Sequence, residues 1–142
     1  MDTTPPLIIA FVADLFFATR IESTANRLGC QVRFIERAAQ LFEEPASDDP
    51  DENRLESLSK LVRARRPALL LFDLNNAEIP WKNWIPAFRA DPESESIPVI
   101  AFGSHVETDT LARARAAGAQ AVLARSRFVT ALPEILTKYL AA

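Results

Sequence analysis

Cysteine occurs once, at Cys30. A lone thiol forms no internal disulfide, which fits a reducing compartment. Glycine is almost as scarce, with only Gly29, Gly103 and Gly118. None stands in a GxGxxG or P-loop setting, so the usual phosphate-cradling loops of cofactor sites are missing. His105 is the only histidine. With no second histidine there is no ground for a metal or acid–base role, and no Ser-His-Asp or Cys-His set is evident. Positive charge is not in excess: 16 Lys and Arg stand against 19 Asp and Glu, a net −3. Wholesale binding to nucleic acid or to an anionic membrane is therefore disfavoured. No run is long and apolar enough to cross a bilayer. The N-terminus, Met1 to Pro6, has no positive n-region, and Asp14 breaks the apolar run behind it, which argues against a signal peptide. A cytoplasmic protein is expected.

What the chain does have is enough apolar residue for a core. Its 142 residues are 49% hydrophobic and 25% charged, the make-up of one ordinary domain spanning 1–142. The run Ala68 to Phe72 leads straight into Asp73 and then into Leu74-Asn75-Asn76. Such a run, bounded by Pro67 before and polar residues after, reads as a strand buried on both faces. Leu7 to Ala13, ending at Asp14, reads the same way, and so does Pro98 to Phe102, ending at Gly103-Ser104. Val32 and Phe34, and then Ala121 to Ala124, mark two shorter strands.

Helical spacing links these runs. Phe17, Ile21, Ala25 and Leu28 lie on one face, with Gly29 placed to stop the helix. Ala38 to Phe42 reads as the start of a second helix. From Glu43 to Glu56 seven acids accompany one base; with Pro45 and Pro50 this predicts an acidic loop or insertion at about 43–54. Helical spacing resumes at Leu55, Leu58, Leu61 and Val62. Arg63, Arg65 and Arg66 complement the helix dipole, and Pro67 ends the segment. A third helix carries Trp84, Ile85 and Phe88, with Pro86 expected in its first turn because a later proline would break it. A fourth runs from Glu107 to Ala117 and stops at Gly118. Thr130 is the expected cap of a fifth.

Five β-α repeats without internal self-similarity predict a parallel sheet covered by helices on both faces. The expected class is α/β, flavodoxin-like, with strand order 2-1-3-4-5. That order brings Asp14, Asp73 and Gly103-Ser104 to one mouth, beyond the carboxyl ends of neighbouring strands.

On these residues the chain resembles the receiver domain of two-component response regulators, the CheY-like family. Asp73 matches the family's phosphoacceptor; Gly103 follows thirty residues later and Arg125 twenty-two beyond that, the family's usual spacing. Phe88-Arg89-Ala90-Asp91, Ile97-Pro98-Val99-Ile100 and Ala116-Ala117-Gly118-Ala119 are similar to the family too. The chain departs from it at five points. The acid pair falls on Ala13-Asp14, the strand-4 hydroxyl on Gly103, the Lys-Pro on Arg125-Ser126, the proline after the acceptor on Ala77, and the strand-5 aromatic on Val122.

The resemblance implies a stand-alone signalling protein that accepts a phosphoryl group on Asp73 from a histidine kinase or phosphotransfer protein. It implies action through association with a downstream protein, or as a homodimer through the fourth helix, fifth strand and fifth helix, with no nucleic acid and no membrane partner. No enzyme activity beyond autophosphorylation is implied. A site of this kind uses Mg²⁺, here with Asp14, Asp73 and the Asn75 carbonyl as ligands, while Arg125 and Ser104 are the candidates to contact the phosphoryl oxygens. Plainer readings stand beside each role. Asp73 with Asn75-Asn76 suits an Asx turn, Asp14 suits a helix N-cap, Ser104 a loop turn, and Arg125 with Arg127 a solvated pair. Trp81 and Trp84, beside the mouth, suit either a partner contact or packing on the sheet. Two further functions stay open: a phosphorylation-independent interaction module, and a small-ligand or cofactor-binding protein on a flavodoxin-like frame.

Overall fold

Strands that are apolar at every position have no solvent face, so they must lie inside a sheet with helices on both sides. The computed structural model, which describes residues 4–41 and 50–140, has this arrangement. Strands β1 (Leu7–Phe11), β3 (Leu69–Asp73) and β4 (Val99–Gly103) are buried along their whole length. Two shorter strands, β2 (Gln31–Phe34) and β5 (Ala121–Ala124), form the edges. All pairs are parallel, in the order β2-β1-β3-β4-β5. The helices are α1 (Leu15–Arg27), α2 (Pro50–Arg65), α3 (Trp81–Ala90), α4 (Thr108–Ala117) and α5 (Arg125–Leu140).

The alternation of side chains along each strand divides the core in two. Ile9, Phe11, Leu70, Phe72 and Ala101 meet Leu58 and Val62 of α2, Trp84, Ile85 and Phe88 of α3, and Ala114 of α4. Ile8, Ala10, Leu69, Leu71, Ile100 and Phe102 meet Phe17 and Ile21 of α1 and Phe128, Leu132 and Leu136 of α5. Each layer has an aromatic centre. Phe11 stacks on Phe72 at 4.3 Å, and Phe102 on Phe128 at 4.0 Å. Burying one such side chain is worth about 1.5–3 kcal/mol, so these two layers carry most of the cohesion.

Helix ends follow their chemistry. Asp14 Oδ1 accepts from the Phe16 and Phe17 amides at 2.9 and 3.3 Å, capping α1. Gly29 and Gly118 take φ values of 74° and 121° just past the ends of α1 and α4. Pro50 opens α2, where a missing N–H costs nothing.

Three local expectations change. Ala38–Gln40 forms a single 3₁₀ turn, with Gln40 Oε1 accepting from the Glu36 and Arg37 amides, where the start of an α-helix was expected; Phe42, the end of that expected segment, lies outside the described residues. Pro86 is the sixth residue of α3 and lies beyond its first turn. The helix begins at Trp81 and tolerates the lost bond to the Lys82 carbonyl because Trp84, Ile85 and Phe88 anchor it in the core. Thr130 caps nothing: α5 starts directly at Arg125, and the Thr130 hydroxyl donates to the Ser126 carbonyl one turn back. The acidic stretch divides at Pro50. Its residues 51–56 belong to α2, and 43–49 lie outside the described residues.

Candidate functional site

Asp73 is the last residue of β3 and pairs in register with Phe102 of β4. It is 4% exposed, among few buried polar side chains. Its Oδ1 accepts from the Asn75 amide at 3.0 Å, and its carbonyl accepts from the Asn76 amide at 3.0 Å, so the expected turn is present. Burial pushes the carboxyl above its usual range; the Asn75 amide and the Arg125 guanidinium pull it back, and the Asp14 carboxylate pushes it up again. That balance places Asp14 and Arg125 within electrostatic reach of Asp73, although they stand 59 residues before and 52 after it in sequence.

Asp14 is exposed and caps α1 through Oδ1, as the plainer reading expected. Both carboxylates therefore bond backbone amides through Oδ1, which leaves Oδ2 outside these bonds. Arg125 is no solvated charge. It is half-buried, its guanidinium carbon lies 5.7 Å from the Phe17 ring centroid, and its Nε is buried without a hydrogen-bond partner. An orphaned buried donor costs about 1–3 kcal/mol unless something meets it. Arg127 is exposed.

The loops on either side of Asp73 are tied together by asparagines. Asn75 Oδ1 accepts from the Ser104 amide at 3.2 Å, and its Nδ2 lies 3.3 Å from each carboxylate oxygen of Glu107. Asn76 is buried; its Nδ2 donates to the Glu36 carbonyl at 2.8 Å, and its Oδ1 accepts from the Glu78 amide. The sequence pointed to Asn75 for its carbonyl and for a turn, and to Glu107 only as the start of a helix; neither the Asn75 side chain nor Glu107 was expected at the site. The available signal was small: an acid at the start of a helix, one loop away from an Asn-Asn turn.

Of the residues expected at the mouth, Asp14 and Arg125 stand within electrostatic reach of Asp73, and Asn75 joins Ser104. The Ser104 hydroxyl is turned into its own loop, where it accepts from the Val106 amide at 3.4 Å, the plainer of its two readings. Gly103 leaves no room for a longer side chain without movement, since a Cβ there would lie 3.3 Å from both Leu111 and Leu74. Val122 is buried in the core. Trp81 and Trp84 are 5% and 1% exposed, which removes both as surface contacts. Trp81 is drawn in by the bond from its indole N–H to the Leu74 carbonyl at 3.2 Å.

Among the described residues no three His, Cys, Asp or Glu side chains group as a metal site. The carboxylates within reach of one another at the mouth are those of Asp73 and Asp14. That is hard-ligand chemistry suited to Mg²⁺, which takes one or two carboxylates and retains several waters.

No protein-family model and no curated protein matches this sequence. Solved structures do. A phosphorylated cyanobacterial phytochrome response regulator superposes with a TM-score of 0.74 at 14% identity, covering 97% of this chain and 96% of its own. A response regulator from Hahella chejuensis gives 0.74 at 17%, covering 96% of each chain. The receiver domain of a sensor histidine kinase from Pseudomonas aeruginosa, with magnesium coordinated in its active-site cleft, gives 0.71 at 17%, covering 98% of this chain and all of its own. Together with the strand order and the five helices, these likenesses show that the chain has the fold of response-regulator receiver domains.

Proposed function

We propose that this protein is a receiver in two-component signalling that accepts a phosphoryl group on Asp73. The observation that carries the reading is the convergence of three charged groups at one mouth: a buried acid at the end of the central strand, a second acid, and a half-buried arginine with an unpartnered Nε. In the reaction an Asp73 carboxylate oxygen attacks the phosphorus of a phosphohistidine or acyl phosphate. The new P–O bond forms as the bond from phosphorus to the donor breaks, and the donor leaves with the bonding pair. Asn75 N–H fixes the orientation of the nucleophile through Oδ1. Arg125 favours the ionised carboxylate and offers its guanidinium to the phosphoryl oxygens. Asp14 and Asp73, with the Asn75 carbonyl, would hold Mg²⁺, which when bound offsets the charge on those oxygens. The donor is a histidine kinase or phosphotransfer protein. Output passes by association with a protein partner or a second copy, through α4, β5 and α5.

A second reading, a phosphorylation-independent interaction module, is favoured by Ala13 in place of a further acid and by the tight space around Gly103. One experiment separates the two. Incubation with acetyl phosphate and millimolar Mg²⁺, read by intact mass, adds one phosphoryl group to the wild type and none to Asp73→Asn. A wild type that gains nothing removes the phosphoacceptor reading and leaves the interaction module.

A further inference from the structure

We infer that Asn75 and Glu107 form a relay that carries the state of Asp73 to the start of α4. The inference rests on the reading of Asp73 as a phosphoacceptor and adds how the change at that site is transmitted. A route is needed because β4 ends in Gly103, which has no side chain to respond. Leu111 and Leu74 already fill the space beside it.

Asn75 is bonded in three directions. Its backbone amide donates to Asp73 Oδ1 at 3.0 Å. Its side-chain oxygen accepts from the Ser104 amide at 3.2 Å, and its side-chain nitrogen reaches both oxygens of Glu107 at 3.3 Å. Glu107 is in turn the residue from which α4 grows. Its amide donates to the Ser104 carbonyl at 3.1 Å, and its carbonyl accepts from the Leu111 amide at 3.1 Å, the first turn of the helix. The path Asp73–Asn75–Glu107–α4 is therefore continuous in hydrogen bonds. It spans two loops separated by 32 residues in sequence.

The chemistry at one end must disturb the other. A carboxylate shares its charge over two oxygens. Once one oxygen is bonded to phosphorus, the other is a carbonyl oxygen and a poorer acceptor for the Asn75 amide. The dianionic phosphoryl group also brings new negative charge near a chain of bonds that ends on the Glu107 carboxylate. Asn75 is the first group to respond, and it holds the β4–α4 loop through two atoms of its side chain. Glu107 is exposed, and its role here is positioning, exerted through Asn75.

Beryllofluoride with Mg²⁺, a mimic of the aspartyl phosphate, tests this on the intact chain. ¹⁹F NMR reports occupancy of Asp73, and ¹H–¹⁵N spectra report the amides. In the wild type, occupancy shifts the amides of Asn75, Ser104 and the first turn of α4. In Glu107→Ala occupancy and the Asn75 shift persist, while the α4 shifts are lost. Glu107→Gln keeps an acceptor for Asn75 Nδ2 and restores them. Occupied wild-type protein with a silent α4, or a Glu107→Ala protein whose α4 responds in full, overturns the relay alone. A wild type that never shows bound beryllofluoride overturns the phosphoacceptor reading and the relay with it.

Discussion

Asp73 is buried on a central strand of a hydrophobic sheet, so its ionisation and its stability effect are linked. Its carboxyl titrates above the usual value of 3.8, first because burial disfavours the anion. For an acid shifted in this direction the native state binds the proton more tightly than the unfolded chain. The group's contribution to stability is whole below the unfolded value, and it is lost as pH rises through the raised folded value. Asp73→Asn removes the buried charge and keeps Oδ1 as an acceptor for the Asn75 amide. The variant is expected to melt higher than the wild type at neutral pH, with the difference closing as pH falls toward about 4. A difference that grows in acid contradicts the assignment. Asp14 has two tasks that substitution can separate. Asparagine caps a helix about as well as aspartate, whereas alanine costs about 0.5–2 kcal/mol. Asp14→Asn should therefore unfold like the wild type in urea and Asp14→Ala at lower denaturant, while both lose Mg²⁺-dependent phosphorylation.

At the scale of elements, the ends of the helices show how local chemistry sets the frame around the site. Gly118 closes α4 at φ 121°, and a Cβ there would lie 2.6 Å from the Arg89 side chain. Arg89 cannot easily yield. Its Nε donates to the Gly118 carbonyl at 2.8 Å and its Nη1 to the Glu95 carbonyl at 2.7 Å, which binds α3, the loop before β4 and the end of α4 together. Gly118→Ala should lower stability by about 1 kcal/mol or more, seen as a lower denaturant midpoint with an unchanged slope. The residues that made elements legible in the sequence were those whose signals are local: the apolar runs of β1, β3 and β4, the helical spacing of α1, and the stops at Gly29 and Gly118. The failures were places where tertiary packing overrode a local rule. Pro86 stands in the second turn of α3 because three large side chains hold that helix on the sheet. For Trp81, left open between a partner contact and packing on the sheet, burial is set by a bond to the Leu74 carbonyl that nothing in its own sequence neighbourhood announces.

At the scale of the molecule, the doubly covered sheet brings distant residues to one edge. Asp14 and Asp73 were legible as a pair because the β-α alternation suggests the strand order and the ends of neighbouring strands converge, whereas Arg125 was legible only through the family spacing. The Asn75–Glu107 contact was not legible, because it depends on how two loops settle over that edge and on side-chain reach alone. The likenesses to solved structures, at 14–17% identity for the three compared above, confirm the frame and leave the chemistry to this chain's own residues. On that account Asp73 is the group that forms the covalent bond, and its product is an acyl phosphate. Hydroxylamine attacks the carbonyl of such a mixed anhydride, displaces phosphate and leaves a hydroxamate on the residue that carried it. The most direct measurement is therefore peptide mapping by mass spectrometry after acetyl phosphate, Mg²⁺ and then hydroxylamine. The account predicts a hydroxamate at Asp73 that disappears when Mg²⁺ is withheld. A mark on another carboxylate, or none on any, would contradict it.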